Sequence, residues 1–224
     1  MIAIFDNDGT ICDSQEAEDA CFARAVALVT GQPLQSLDWT SYPEPTSTAI
    51  VRGMLAGQPR EQADAAEARI VAEYLRQLGE IRPLHPDNFT PIPGAVEFIR
   101  RLQSDNVCAV GLATGCFAPT AEFKLRCCGL DMHAFPHATS SDTPRRRDII
   151  PLTARRAGHA LESVVYFGDA PWDVHVSRLL GIPLIGIGRR AALLRSMGVG
   201  HVFRDYTDQD AILSVLRSLQ TPAA

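Results

Sequence analysis

The sequence predicts an α/β fold: a Rossmann-like core built on a parallel β-sheet, interrupted by an inserted all-helical domain. From about Val107 onward, short runs rich in valine and isoleucine alternate with helical patterns: VCAVGLAT, PTAEFKLRCCGL, SVVYFGD, APWDVHVSRLLG and IPLIGIG. Such alternation is typical of parallel strands covered by helices on both faces. Between about Ser14 and Asn88 no strand-like run appears, and EAEDACFARAVALV and REQADAAEARIVAEYLRQLGE carry apolar residues at helical spacing.

The order of these patterns predicts how the chain is divided. The first strand, IAIF, precedes the helical stretch, and the sheet patterns resume only after it. Between them, PLHPDNFTPIPG (Pro83 to Gly94) holds four prolines, which cannot continue a helix and indicate a linker. We therefore predict a core made of residues 1–13 and 91–224, and a helical insertion of residues 14–90. The last four residues, TPAA, are expected to fray.

Composition limits the kinds of protein that this chain can be. With 224 residues and 46% hydrophobic content, it can bury a sizeable core. The formal net charge of −5 and the pI near 5.7 argue against nucleic-acid binding, which requires clustered lysine and arginine. No apolar run approaches the roughly 20 residues of a membrane span, and no signal-like segment precedes the first strand. These features predict a cytoplasmic protein that binds neither nucleic acid nor membrane, and they carry no signal for an oligomeric state.

Acidic residues follow two of the predicted strands. Asp6 and Asp8 come directly after IAIF, in FDNDGT, and Asp169 and Asp173 follow VVYF, in GDAPWDV. Each acid alone has a structural explanation, since Asp and Asn before Gly form turns and an acid stabilises the first turn of a helix. Together they lie at strand ends that converge in an open parallel sheet. Four acids at one edge repel each other unless a cation binds, and a ligand set made only of oxygens favours magnesium over zinc.

A third strand end carries different chemistry. The run VCAVGLATG closes on Thr114 and Gly115, and a helix begins near Pro119. A threonine hydroxyl and free backbone N–H groups at such a position can hold a phosphate oxygen. The alternative is that Thr114 only terminates the strand. Combined with the acidic strand ends, it predicts a site for a dianionic phosphate and a magnesium ion.

DNDGT, ATG and GDAPWD, in this order on successive strand ends, resemble the motifs of the haloacid dehalogenase superfamily, specifically its phosphatases. Within it, the chain resembles the group of phosphoglycolate phosphatase and β-phosphoglucomutase. The resemblance covers nearly the whole chain, because the helical insertion is similar to the helical cap domain of that family. It implies an α/β core with a cap and a reaction at the edge of the sheet.

The resemblance also implies a role for each matching residue. Asp6 would be the nucleophile that forms an aspartyl phosphate, and Asp8 the general acid and then the general base. Magnesium (Mg2+) would be held by the side chains of Asp6 and Asp169 and by the backbone carbonyl of Asp8, with Asp173 as a further ligand or a supporting partner. Thr114, with Gly115, would bind a phosphoryl oxygen.

One motif departs from the family pattern. Such phosphatases use a basic residue, commonly a lysine in a KPxPD-like stretch, to neutralise the phosphate and the nucleophile. The corresponding stretch here reads SDTPRRRDII and contains no lysine. Lys124, in AEFKLRCCGL, is the single lysine of the chain, and we assign it this role in preference to an arginine of Arg145–Arg147. A lysine on the exposed surface of its helix is the structural alternative.

A loop of the helical insertion is a candidate for substrate recognition. The segment DWTSYPEPTSTAIVRG contains Arg52, which we predict as a ligand for an anionic group of the substrate. Its neighbour Thr46 more simply caps a helix, and packing between helices is the alternative for the rest.

These features predict a magnesium-dependent phosphatase that hydrolyses a small phosphorylated metabolite through an aspartyl-phosphate intermediate. Phosphoglycolate is one candidate substrate, suggested by the resemblance alone. A sugar-phosphate mutase of the same superfamily is an alternative, because mutases keep the same core residues. From another class, the chain could be a non-catalytic binding module.

Overall fold

The computed structural model describes residues 1–219, apart from the side chains of residues 15–17. The TPAA tail predicted to fray lies outside the described residues. The strands are β1 (Ile2–Phe5), β2 (Cys12–Asp13), β3 (Thr90–Pro91), β4 (Ala109–Thr114), β5 (His137–Thr139), β6 (Val164–Gly168), β7 (Leu184–Ile187) and β8 (His201–Phe203). The helices are α1 (Gln15–Thr30), α2 (Ser47–Met54), α3 (Arg60–Ile81), α4 (Ala95–Ser104), α5 (Ala118–Cys127), α6 (Arg146–Arg156), α7 (Pro171–Leu180), α8 (Ala191–Ser196) and α9 (Gln209–Ser218), with short 3-10 turns at Trp39–Ser41, Met132–Ala134 and Leu161–Ser163.

Six strands form one sheet in the order β5-β4-β1-β6-β7-β8, and every neighbouring pair is parallel. The predicted α/β fold with a parallel sheet is thereby confirmed. Strand β1 lies at the centre, with Ile2 opposite Ala109 of β4 on one side and Val164 of β6 on the other. The carboxyl ends of β4, β1 and β6 are therefore adjacent, and residues that follow these strands share one edge of the sheet.

Helices cover both faces of the sheet. On one face, α4 and α9 pack over Phe5 and Phe167, whose rings stack with their centroids 4.4 Å apart. On the other face, Ile149 of α6 and Val176 of α7 pack over Ile4. Strands buried on both faces are apolar at every position, which explains why IAIF and VVYF read as continuous hydrophobic runs rather than alternating ones.

Residues between β2 and β3 form helices α1, α2 and α3, as the sequence predicts for the helical insertion. The chain leaves the core at β2 and returns to it at β3. These two strands pair antiparallel, with Cys12 opposite Pro91, so the two connections lie side by side. The apolar side chains of α1, α2 and α3 form one cluster with Phe117, next to the first residue of α5. Helix α5 therefore packs between the sheet and the helical insertion.

Within residues 1–219, the structure contains no helix that is both long and apolar enough to cross a lipid bilayer.

Candidate active site

Four of the predicted site residues meet at the carboxyl edge of the central strands. Asp6 follows β1, Thr114 ends β4, Asp169 follows β6, and Asp173 lies in the first turn of α7. All four are buried. Asp6, Asp8, Thr114 and Gly115 line a cavity of about 240 Å³ between the sheet edge and the helical insertion. Because their strands are neighbours in the sheet, residues distant in sequence reach one crevice.

Gly9 allows the loop after β1 to approach β6. Its φ is +74°, and a Cβ atom there would lie 2.2 Å from the Asp169 Oδ2 atom. The loop turns on the Asn7 carbonyl, which accepts hydrogen bonds from the N–H groups of Ile11 and Cys12. Any other residue at position 9 would therefore be strained and would push the Asp169 carboxylate away.

Three carboxylates form the acidic part of the site. One oxygen each of Asp6, Asp169 and Asp173 lies within 4.8 Å of the other two. Asp173 is fixed in place, since it accepts hydrogen bonds from the N–H groups of Asp169 and Ala170 and from the Tyr166 hydroxyl at 3.1 Å. Burial raises the pKa of Asp6 to about 7, against the opposing effect of Arg146, and burial also raises the pKa values of Asp169 and Asp173.

These acids fit a hard metal cation. The Asp169 Oδ1 atom is buried and has no hydrogen-bond partner among the described residues. A buried carboxylate oxygen without a partner is costly, and a cation bound there would remove that cost. The donors are all oxygens, and no histidine or cysteine belongs to this group of three. Such a donor set is what a hard cation prefers.

Arg146 is the cation that contacts Asp6. Its Nη1 atom lies 3.2 Å from the Asp6 Oδ2 atom and 3.1 Å from the Asp173 Oδ1 atom. The absence of a side chain at Gly115 makes room for it, since a Cβ there would lie 2.5 Å from Arg146 Nη2. Arg145 and Arg147 are exposed. Arg145–Arg147 is the stretch predicted as the alternative to Lys124, and Arg146 is its one buried arginine.

Lys124 lies elsewhere in the site than the sequence-based assignment requires. Its side chain is fully buried, so it is no surface lysine. The Nζ atom lies 2.6 Å and 2.7 Å from the two oxygens of Asp8, contacts Glu18, and lies 3.0 Å from Cys116 Sγ. The preference for Lys124 over an arginine as the group beside the nucleophile does not match this geometry, because its ammonium pairs with Asp8 while Arg146 pairs with Asp6.

The Asp8 carboxylate accepts three hydrogen bonds. Besides Lys124, it accepts from the Ser14 hydroxyl at 2.6 Å and from the Cys116 thiol at 2.8 Å. Burial acts to raise the pKa of Asp8, but Lys124 and these donors outweigh it and hold the pKa below its ordinary value. Asp6 and Asp8 thus have pKa values shifted in opposite directions, each beside its own cation.

The structure does not bring Arg52 to the cavity. Its guanidinium is about half exposed and pairs with Glu67 of α3 at 2.9 Å. The start of the same helix does reach the core, because the Ser47 N–H donates to the Gly115 carbonyl at 2.8 Å and the Thr46 hydroxyl donates to the Pro144 carbonyl. These bonds hold the helical insertion against the cavity.

Among the charged residues of the site that the sequence did not indicate are Arg190 and Glu18. Arg190 follows β7 and pairs with Asp169 Oδ2 at 2.6 Å, and its guanidinium lies 5.8 Å from the centroid of the Trp172 ring. Because Arg190 follows the end of β7, its place in the sequence could have indicated that it lies at the same edge of the sheet. Glu18, on α1, contacts Lys124. It lies one helical turn after Ser14 in sequence, but nothing local indicates that it faces the core.

Comparisons with known proteins agree with this architecture. The family model described as haloacid dehalogenase-like hydrolase matches residues 1–179. Similar solved structures include a hydrolase from Pseudomonas syringae (22% identity over 95% of this chain and 97% of that one, TM-score 0.72). They also include CbbY from Rhodobacter sphaeroides in complex with phosphate (15%, 92% and 95%, TM-score 0.70) and a putative β-phosphoglucomutase from Bacteroides vulgatus (18%, 98% and 90%, TM-score 0.67). At these identities the likeness concerns the fold. No curated protein sequence matches the chain.

Proposed function

The chain belongs to the haloacid dehalogenase-like hydrolases, and on that premise we propose that it is a magnesium-dependent phosphatase acting through an aspartyl phosphate on Asp6. The observation that carries the proposal is the pairing of two neighbouring acids with two different cations: Asp6 with Arg146, and Asp8 with Lys124. Two roles, nucleophile and acid/base, need two such environments. Support also comes from CbbY, whose structures hold phosphate in one case and xylulose-(1,5)bisphosphate in another.

The proposed reaction has two steps. In the first, an Asp6 oxygen attacks phosphorus, the bond to the ester oxygen breaks, and Asp8 gives a proton to the departing alcohol. The dianionic phosphate favours protonation of Asp8 as it enters, since negative charge raises a neighbouring pKa. In the second step, Asp8 takes a proton from water, the water oxygen attacks phosphorus, and Asp6 is released. Arg146, the Thr114 hydroxyl and backbone N–H groups after Thr114 would hold the phosphoryl oxygens.

Magnesium would be held by the Asp6 and Asp169 side chains and the Asp8 carbonyl, with Asp173 as a ligand or supporting partner. When bound, it supplies positive charge against the negative charge that develops on the phosphoryl group.

Removal of the metal is expected to lower the activity. A chelator should lower hydrolysis of phosphate monoesters by at least about a hundredfold, and added Mg2+ should restore it, because the acids at the sheet edge would otherwise repel the phosphate. Asp169→Asn should raise the Mg2+ concentration needed for half-maximal activity by at least about tenfold. A panel of phosphate monoesters, assayed with and without Mg2+, measures both effects. Full turnover in a metal-free sample would contradict the proposal.

The cavity wall beyond the phosphate position indicates what the alcohol half of the substrate can be. From the helical insertion, Leu37, Trp39 and Pro45 line it together with Asp19 and Asp38. Asp19 accepts a hydrogen bond from Trp39 Nε1 at 2.8 Å, and neither aspartate forms an ion pair within residues 1–219. In the described part of the insertion, no lysine, arginine or histidine lines the cavity. An uncharged alcohol fits this wall better than a carboxylate does.

We therefore expect glycerol phosphate to be a better substrate than phosphoglycolate. The kcat/KM for phosphoglycolate should be lower by about tenfold or more, because its carboxylate would face Asp19 and Asp38 with the nearby Arg190 already engaged by Asp169. Asp19→Asn should narrow this difference, whereas Asp64→Asn, on the exposed surface of α3, should leave it unchanged. A preference for phosphoglycolate in the wild-type protein would contradict the uncharged-alcohol assignment.

A further inference from the structure

The single lysine of the chain joins the core to the helical insertion. Lys124, on α5, has no exposed side-chain surface, yet it carries an ammonium group. Its hydrogen bonds go to Asp8 and Cys116 of the core and to Glu18 of α1. Burial of a charge is tolerated only when it is paired and hydrogen-bonded, and the two carboxylates provide that pairing.

Glu18 is itself fixed from two sides. Its Oε1 atom accepts a hydrogen bond from the Tyr74 hydroxyl of α3, and its Oε2 atom accepts one from Ser14 at 3.0 Å. The Ser14 hydroxyl, at the start of the helical insertion, also lies 2.6 Å from Asp8 Oδ1, so its single proton is shared between the two carboxylates. Asp8 is therefore connected to two helices of the insertion by a continuous buried chain of hydrogen bonds.

The residue type at position 124 fits this arrangement. Three acceptors surround one point: an oxygen of Asp8, an oxygen of Glu18 and the sulfur of Cys116. An ammonium offers three donors from one compact atom, whereas a guanidinium spreads its donors over a planar fork. In a chain with twenty arginines, this is the one position that holds a lysine.

We propose that Lys124 is a positioning residue for Asp8: it fixes the Asp8 carboxyl toward the leaving oxygen and makes that placement depend on contact with Glu18 of the helical insertion. The proposal rests on the proposed function. Asp8 lines the cavity whereas Lys124 lies behind it, so Lys124 acts through Asp8 and not on the phosphate. With the insertion displaced, Glu18 and Ser14 would leave: Asp8 would lose the Ser14 contact, and Lys124 would lose the Glu18 contact that helps to hold its ammonium beside Asp8.

The test separates positioning of the acid from general damage. Phosphoenzyme formation is measured in a single turnover with two substrates: glycerol phosphate, whose alkoxide must be protonated as it leaves, and p-nitrophenyl phosphate, whose nitrophenolate leaves without a proton. Lys124→Met should slow the step at least about a hundredfold with glycerol phosphate and less than about tenfold with p-nitrophenyl phosphate. Glu18→Gln should show the same selectivity with a smaller loss. Arg126→Met, an exposed cation on the same helix, should change neither rate.

Equal losses with the two substrates would show a merely structural ion pair, and unchanged rates would remove any role for Lys124. Should Lys124→Met fail to fold, the double variant Lys124→Met with Glu18→Gln removes one of the two carboxylates left without their cation and must still show the selective loss. If the wild-type protein formed no phosphoenzyme from either substrate, the proposed function itself would be wrong. If the wild-type protein is active but Lys124→Met loses activity with both substrates equally, only the positioning role of Lys124 is rejected.

Discussion

Asp6→Asn is expected to abolish the phosphoenzyme and to lower turnover by roughly four orders of magnitude or more. An amide oxygen is a poor nucleophile, and the neighbouring carboxylates are engaged by other groups. Asp8 is bound by Lys124, Asp169 by Arg190, and Asp173 by the N–H groups at the start of α7. The measurement is the mass of the intact protein after rapid quenching with an accepted phosphate ester, together with steady-state release of phosphate.

Asp8→Asn provides the matched control for this variant. It leaves the nucleophile in place, so the phosphoenzyme should still form from p-nitrophenyl phosphate and should then persist, because water attack lacks its base. Appreciable turnover by Asp6→Asn, or formation of a phosphoenzyme by Asp6→Asn, would require the covalent mechanism to be abandoned.

Arg146→Ala should lower turnover by about a thousandfold. The substrate phosphate and Asp6 must come within bonding distance, and at ~4 Å two such charges repel by about 4 kcal/mol at an effective dielectric near 20. The Arg146 guanidinium, 3.2 Å from Asp6 and buried, is placed to offset that repulsion. The measurement is kcat/KM on any accepted ester, and Arg146→Lys should recover part of the loss.

Arg145→Ala and Arg147→Ala are the controls, since both arginines are exposed and neighbour Arg146 in sequence. Each should stay within about threefold of wild type. A thermal melt of each variant identifies any loss that comes from unfolding, because Arg146→Ala also removes a partner of the buried Asp173. A silent Arg146→Ala together with a damaging Arg147→Ala would contradict the assignment.

Local patterns in the sequence were sufficient for the fold class. Burial on both faces makes each central strand a short apolar run, and the helical insertion shows helical spacing over long stretches. The clustering of Asp6, Thr114 and Asp169 also follows from the sequence, because neighbouring parallel strands end at the same edge of the sheet regardless of the packing of their side chains.

The sequence indicated a cation for the phosphate, but the assignment of Lys124 does not match the structure, in which Arg146 lies beside Asp6. The choice between Lys124 and an arginine depends on which side chain points at which carboxylate. The spacing of residues along the chain does not determine these directions. Lys124 lies three residues after Ala121 and one before Leu125, two apolar residues at helical spacing that are buried on the inner face of α5. The pattern does not say that the inner face meets Asp8 instead of Asp6.

Contacts between the helical insertion and the core were decided only by tertiary structure. Glu18 reaches Lys124, whereas Arg52 turns outward to Glu67, although Glu18 and Arg52 both lie on helices of the same insertion. The sequence by itself determined the parallel sheet, the helical insertion and the strand ends that carry the acids. The packing of α5 between the two parts decided which charges pair, because buried charges are stable only beside the partners that packing brings to them.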